Sequence, residues 1–188
     1  MQELVDVARR VEERIGRKLD IVSGGASSSY MRVLDGNIPE GITNLRIGEE
    51  ILLPQDLLYL YGYPLNGMYD DVFTLESQVI EVRDKPSYPV GELGVDAFGH
   101  KPVYIDKGIR RKVLLAMGHL DYCDYKDLIP QDKDVEILGC SSDHTIMDVT
   151  DAPRTYHVGD IVKFNLIYGT NLFLCHSQNV QKVFIDEE

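Results

Sequence analysis

The chain has few cysteines, little positive charge and no long apolar run, and each shortage excludes something. Its three cysteines, Cys123, Cys140 and Cys175, are odd in number and widely spaced. No CxxC or Cys/His spacing points to zinc or to a disulfide framework, so reduced thiols in a cytoplasmic protein are expected. The five histidines form no HxH or HExxH pattern, and no metal is expected. Against 31 acidic residues stand 19 lysines and arginines, a net charge of −12. Phosphate backbones recruit basic patches, and the short clusters Arg9-Arg10, Arg17-Lys18 and Arg110-Arg111-Lys112 sit among acids, which speaks against a nucleic-acid partner. No apolar stretch approaches the ~20 residues of a membrane span. The amino terminus reads as a charged amphipathic helix rather than a signal peptide.

What is present describes a globular chain of two textures. At 188 residues and 44% hydrophobic content it can bury a core, as one domain or one domain plus part of another. Residues 2–18 place Leu4, Ala8, Val11 and Ile15 on one helical face, with charges on the other. Residues 19–22 read as a short buried strand, 30–34 as a short helix and 44–47 as a second strand. That order belongs to a parallel sheet rather than a hairpin. After about residue 70 short strands dominate, over 73–83, 111–117, 135–138, 145–149, the HVGDIVKFNL stretch and 179–185, with little helix between them. Two parallel strands cannot make a sheet covered on both faces, so the missing strands belong to another chain or to a longer protein.

The stretch DIVSGGASSSY, from Asp20 to Tyr30, has three readings. A Gly/Ser tract can be a linker, a strand-to-helix turn with capping serines, or a cradle for an anion. In the cradle, Gly24 and Gly25 let the backbone come close, while Ser27, Ser28 and Ser29 offer hydroxyl donors and cap the next helix. Such cradles follow the last strands of (β/α)8 barrels, where backbone amides and a helix N-terminus hold phosphate. LRIGEE, at the second strand, would bring Gly48 to the same ligand. It would also aim Arg46, a fixed cation, at a ring nitrogen or carboxylate.

The stretches SGGASSS, NLRIGEEILL, YPVGELGVDAFGHKP, VLLAMGHLD, ILGCSSDHTIMDVTD and YHVGDIVKF follow one another as in the alanine racemase superfamily. The chain most resembles its branch of predicted amino-acid racemases that includes ornithine racemase, over roughly the carboxyl-terminal half of the family's length. The resemblance implies an α+β fold: the tail of a (β/α)8 barrel, with one or two strand-helix units, then a mostly antiparallel β domain. Its expected boundaries are 1–55 for the barrel tail, 56–70 for a connection and 71–188 for the β domain. It implies pyridoxal 5′-phosphate (PLP) as cofactor, with Ser27, or Ser28 beside it, and the amides of Gly48 and Glu49 at the phosphate. Arg46 corresponds to the arginine on the pyridine nitrogen. Because arginine does not release its proton easily, that nitrogen stays unprotonated and the ring is a moderate electron sink. Tyr168 matches, loosely, a tyrosine at the phosphate.

Two departures bear on activity. In Gly118-His119-Leu120-Asp121 the family's catalytic tyrosine is replaced by His119. Histidine exchanges protons near neutral pH, so His119 reads either as an acid/base or as a partly exposed loop residue. Asp143, in a pair that matches the backbone at the substrate carboxylate, either orients a neighbouring group or caps a turn. Cys140, His144, His157 and His176 read as structural. The second departure is the Schiff-base lysine, which the family carries on the first barrel strand in a VxKxxAYG-like context absent from this chain. The leading expectation is the carboxyl-terminal part of a PLP-dependent amino-acid racemase, inactive alone, that removes the α-proton of an amino acid and returns it on the opposite face. Its partner would be a second copy or a separate barrel-half chain, since family members are dimers whose β domain completes the other subunit's site. The alternative is a non-catalytic module that dimerises or binds a phosphate-bearing ligand. An enzyme unrelated to PLP, built on Asp121, Asp143 and His119, has no spacing to support it.

Overall fold

A computed structural model describes residues 1–95, 99 and 103–185. It divides into two compact units, Met1–Val72 and Phe73–Glu188. Part of the YPVGELGVDAFGHKP stretch therefore lies outside the described residues.

The first unit opens with α1 (Gln2–Ile15), which Gly16 ends in the left-handed conformation, φ 71°, its N–H donating to the Glu12 carbonyl at 2.9 Å. The Glu12 carboxylate then holds the exit, accepting from Lys18 Nζ at 2.8 Å and from the Leu19 amide at 3.0 Å. The buried side of α1 is Val5 and Ala8, while Leu4, Val11 and Ile15 of the predicted stripe are exposed. Within this unit only part of the stripe finds a partner. Val5 packs on Gly41, where an added Cβ would lie 2.9 Å from Val5 Cγ1.

The strands predicted over 19–22 and 44–47 do not form. A single parallel bridge joins Ser23 to Asn44, supported by the Thr43 and Asn44 amides on the Val22 carbonyl and the Gly24 amide on the Asn44 carbonyl. One bridge without further strands on either side is too little to extend. The helix predicted over 30–34 is present as α2 (Tyr30–Leu34), preceded by a 3-10 turn, Ser27–Ser29. Two short helices, α3 (Glu49–Leu52) and α4 (Gln55–Tyr59), bury Leu53 and Leu57.

The second unit is a six-stranded sheet in which every neighbouring pair is antiparallel. Its strands are β1 (Thr74–Pro86), β2 (Ile109–Leu115), β3 (Ile129–Pro130), β4 (Glu136–Cys140), β5 (Thr145–Asp148) and β6 (Ile161–Asn165). Their order is β3-β6-β1-β2-β5-β4. Alternation sets the buried face: Leu75 and Val79 from β1, Val113 and Leu115 from β2, Met147 from β5, Val162 and Phe164 from β6. Register aligns them, with Leu75 opposite Phe164 and Val113 opposite Met147. Pro130, which has no N–H to give a ladder, sits in the edge strand β3.

Two expectations fail here. Residues 179–185 form no strand, because no neighbouring strand pairs with them, and Phe184 and Ile185 are exposed. A helix of nine residues, α6 (Tyr168–His176), stands where little helix was expected. Gly169, Thr170 and Asn171 are poor helix formers. Thr170 compensates at the start, its Oγ1 accepting from the Ile167 amide at 3.3 Å, and buried Thr170 and Leu174 share the inner face.

Candidate functional site

Each unit gathers predicted site residues of its own. In the first, the bridge sets Ser23 beside Asn44, and the Ser23 hydroxyl donates to Asn44 Oδ1 at 2.7 Å. Arg46, two residues on, turns back so that Nη1 donates to the Ser23 carbonyl at 2.9 Å and to its hydroxyl at 3.0 Å. The guanidinium is thereby tied to the end of the first crossing segment. Gly24 is closely packed here: an added Cβ would lie 2.8 Å from Ile42 Cδ1 and 3.3 Å from Leu4 Cδ2, the tips of two flexible side chains. Gly25 follows with φ 74° and reverses the chain into the serine turn.

Within that turn the three serines have different tasks. Ser27 Oγ accepts from the Gly48 amide at 3.3 Å and the Glu49 amide at 3.2 Å, so two successive backbone donors converge on one oxygen. Ser28 is exposed. Ser29 closes the turn, its amide donating to the Ala26 carbonyl at 2.8 Å and its hydroxyl accepting from the Ala26 amide at 3.4 Å. Converging amides beside hydroxyls are the donor set an anion requires. The Glu49 side chain points to a different set of neighbours. Burial, a hydrogen bond with Asp56 and the nearby charges of Asp56 and Glu50 push its carboxyl up to about 8. It is therefore neutral near pH 7 and does not oppose an anion at its own amide. Sequence reading assigned Glu49 for its amide alone; adjacent acids at 49, 50 and 56 were the signal that its carboxyl is perturbed.

In the second unit, the turn carrying His119 and the turn carrying Asp143 are packed backbone to backbone. Gly118 leads into α5 (His119–Tyr122), and an added Cβ there would lie 2.3 Å from the Ser142 carbonyl oxygen and 2.4 Å from the Asp143 nitrogen. The His119 amide donates to the Ser141 carbonyl at 2.9 Å and the Leu120 amide to the Ser142 carbonyl at 3.1 Å. Ser141, which sequence reading did not single out, caps its own turn. Its Oγ accepts from the His144 amide at 3.1 Å and the Asp143 amide at 3.4 Å, leaving the Asp143 side chain exposed. Beneath them, buried Tyr122 donates to Thr145 Oγ1 at 2.6 Å and Thr145 donates to the Met117 carbonyl at 2.8 Å. Burial pushes the Tyr122 hydroxyl well above the usual phenol range. Tyr168 begins α6 and is half exposed. The structure thus brings Ser27, Gly48 and Glu49 together in one unit, and His119 and Asp143 in the other. Among the described residues no group of three or more His, Cys, Asp or Glu is arranged to hold a metal, and no helix is long and apolar enough to cross a membrane.

No family model matches the chain. It is 47% identical over 182 residues to the ornithine racemase of Acetoanaerobium sticklandii, covering 97% of this chain and 51% of that protein. It is 40% identical over 181 residues to the lysine racemase of Thermotoga maritima, covering 96% of this chain and 50% of that protein. The chain thus spans about half the length of the curated relatives it matches. Among solved structures it is similar to D-threonine aldolase from Filomicrobium marinum, with a TM-score of 0.52 and 15% identity over 89% of this chain and 39% of that one. It is also similar to alanine racemase from Oenococcus oeni, with a TM-score of 0.51 and 18% identity over 90% of this chain and 46% of that one. At these identities the structural likeness concerns the fold, which is that of the carboxyl-terminal half of an alanine racemase-like protein.

Proposed function

For a chain related to racemases over nearly its whole length, we propose the role of one half of a PLP-dependent amino-acid racemase, the half that holds the cofactor's phosphate and carries one acid/base. The single observation that carries this reading is the convergence of the Gly48 and Glu49 amides on Ser27 Oγ. The residues fit the phosphate of PLP: the Ser27 hydroxyl and the exposed Ser28 hydroxyl are donors, and the Gly48 and Glu49 amides, which here donate to Ser27 Oγ, point to the same place. When bound, PLP withdraws electrons from the α-carbon of an amino acid and makes its α-hydrogen acidic.

The chain's own residues then have distinct tasks. Ser27, Gly48 and Glu49 bind the phosphate. Arg46, braced by Ser23, would face the pyridine nitrogen as a fixed donor that does not give up its proton. His119 holds or takes a proton at an imidazole nitrogen on one side of the α-carbon. The backbone at Asp143 orients the substrate carboxylate. The two relatives are named for ornithine and lysine, both of which carry a side-chain ammonium, so the substrate class is a basic amino acid. The lysine that carries the cofactor and acts on the opposite side lies outside these 188 residues, in a barrel half supplied by the same longer protein or by a separate chain, and the assembled enzyme pairs two copies.

Activity and absorbance test this. Purified alone with PLP, the chain gives no stoichiometric borohydride-reducible adduct at a single lysine and racemises neither ornithine nor lysine. Mixed with a polypeptide equivalent to the amino-terminal half of its relatives, it gains both. Racemisation by the chain alone overturns the half-enzyme reading. PLP binding by the mixture without racemisation of any amino acid favours the non-catalytic module instead.

A further inference from the structure

Asp121 is 7% exposed, and each of its carboxylate oxygens is engaged by a different segment. Oδ2 accepts from the Gly118 amide at 3.0 Å, closing the first turn of α5 as a capping box does. Oδ1 accepts from the Ser177 hydroxyl at 3.0 Å. Ser177 is itself anchored at the end of α6, where its amide donates to the Phe173 carbonyl at 2.9 Å and its Oγ accepts from the Asn179 amide at 3.2 Å. A buried carboxylate that loses a donor is strongly penalised, so both bonds are held firmly.

These bonds enclose His119. Behind it, Gly118 is fixed by Asp121 and pressed on the Ser142–Asp143 backbone with no space for a side chain. At His119 itself the amide is bound to Ser141, and its carbonyl accepts from the Cys123 amide at 3.0 Å. The Cα of His119 is therefore a fixed point of the second unit, set by α6 through Ser177 and Asp121. We infer that Asp121 and Ser177 are positioning residues for His119: the Ser177–Asp121–Gly118 chain of hydrogen bonds sets where the imidazole meets the substrate's α-carbon. The inference rests on the acid/base reading of His119. A displacement of about 1 Å at a reacting group can cost on the order of a hundredfold in rate.

The test uses the racemase assembled from this chain, its barrel half and PLP, together with amide hydrogen exchange of the isotopically labelled full chain. Ser177→Ala is expected to lower kcat about 10- to 100-fold with KM unchanged, and Ser177→Thr, which keeps the hydroxyl, to restore it. In the labelled chain, Ser177→Ala speeds exchange at the Gly118 amide while amides in the β1–β2 ladder keep their protection. Asp121→Asn repeats both effects and serves if the alanine variant does not fold. The inference is overturned if Ser177→Ala keeps the parent kcat, if kcat and KM change together without rescue by threonine, or if both variants are unfolded. His119→Phe separates the two ideas. Full turnover in that variant removes the acid/base reading and the inference with it. Lost turnover in His119→Phe beside an unaffected Ser177→Ala removes the inference alone.

Discussion

Residues 1–72 and 73–188 both carry abundant apolar side chains, yet they use them differently. In the second unit Tyr122, Met147, Tyr156 and Phe164 are fully buried, and six strands satisfy one another's backbone groups. In the first, the buried apolar side chains are Val5, Ala8, Val22, Leu53 and Leu57, while Ile21, Ile51 and Leu60 are each more than 60% exposed. Its one β-bridge between distant segments joins Ser23 and Asn44. The difference teaches that hydrophobic content does not make a stable unit; partners for the apolar face and the strand edge do. The first unit has the composition of a folded domain and lacks those partners within its own 72 residues, as a section of a barrel would.

The harshest way to break that comparison is to separate the units. Residues 73–188 alone are expected to unfold cooperatively in a calorimeter, with an enthalpy of about 80 kcal/mol. Residues 1–72 alone are expected to give no sharp transition, and a cooperative one there would sink the contrast. A gentler version compares two glycines. Gly118→Ala forces a Cβ against the Ser142–Asp143 backbone, which cannot swing aside. Its expected cost is about 1–3 kcal/mol, read as a lower urea midpoint with an unchanged slope. Gly24→Ala meets the tips of the Ile42 and Leu4 side chains, which can change rotamer, and leaves that midpoint where it was. Equal shifts for the two variants would show that the first unit is as tightly determined as the second.

The same contrast explains what was legible in the sequence. Strands over 73–83, 111–117, 135–138, 145–149 and within HVGDIVKFNL were readable because each is a short strand-forming run between turn residues and each finds a neighbour, so local pattern and final environment agree. Residues 19–22 and 44–47 carry an equally good pattern, but a parallel strand is completed by segments distant in sequence, and here they are not present. Residues 179–185 pair with no strand among the described residues. Turn chemistry made the serine turn legible: glycines and serines at 24–29 announce a chain reversal with hydroxyl caps in one dimension. The clamp on His119 was not legible, since Asp121 and Ser177 lie 56 positions apart and meet only because α6 forms from poor helix formers. Ser141 was readable in principle, as a serine two and three residues before the amides it caps.

The smallest expected effect concerns the joint between the cradle and its own acids. Glu49 titrates near 8 because its carboxyl is partly buried and shares a hydrogen bond with Asp56, with Glu50 adding a second negative charge. In the unfolded chain its value is the ordinary 4.5. The ordered form of residues 49–59 therefore binds more protons than the disordered form between those values. The neutral carboxyl's contribution to order is complete below about pH 4.5, declines as pH rises and is gone above about 8. The Leu53 amide, which donates to the Glu49 carbonyl at 2.7 Å, reports on this segment. Its hydrogen-exchange protection, corrected for intrinsic rates, should fall from pH 5 to pH 8.5 relative to amides of the second unit's sheet. Glu49→Gln removes the ionisation and should flatten that trend, and Asp56→Asn should bring the Glu49 carboxyl resonance back toward the ordinary range. Because the Glu49 amide also donates to Ser27 Oγ, the cradle should loosen along the same curve. An exchange profile at Leu53 that is flat in the parent chain would mean that the acids at 49, 50 and 56 are separately solvated, and that even this corner of the first unit awaits its missing neighbours.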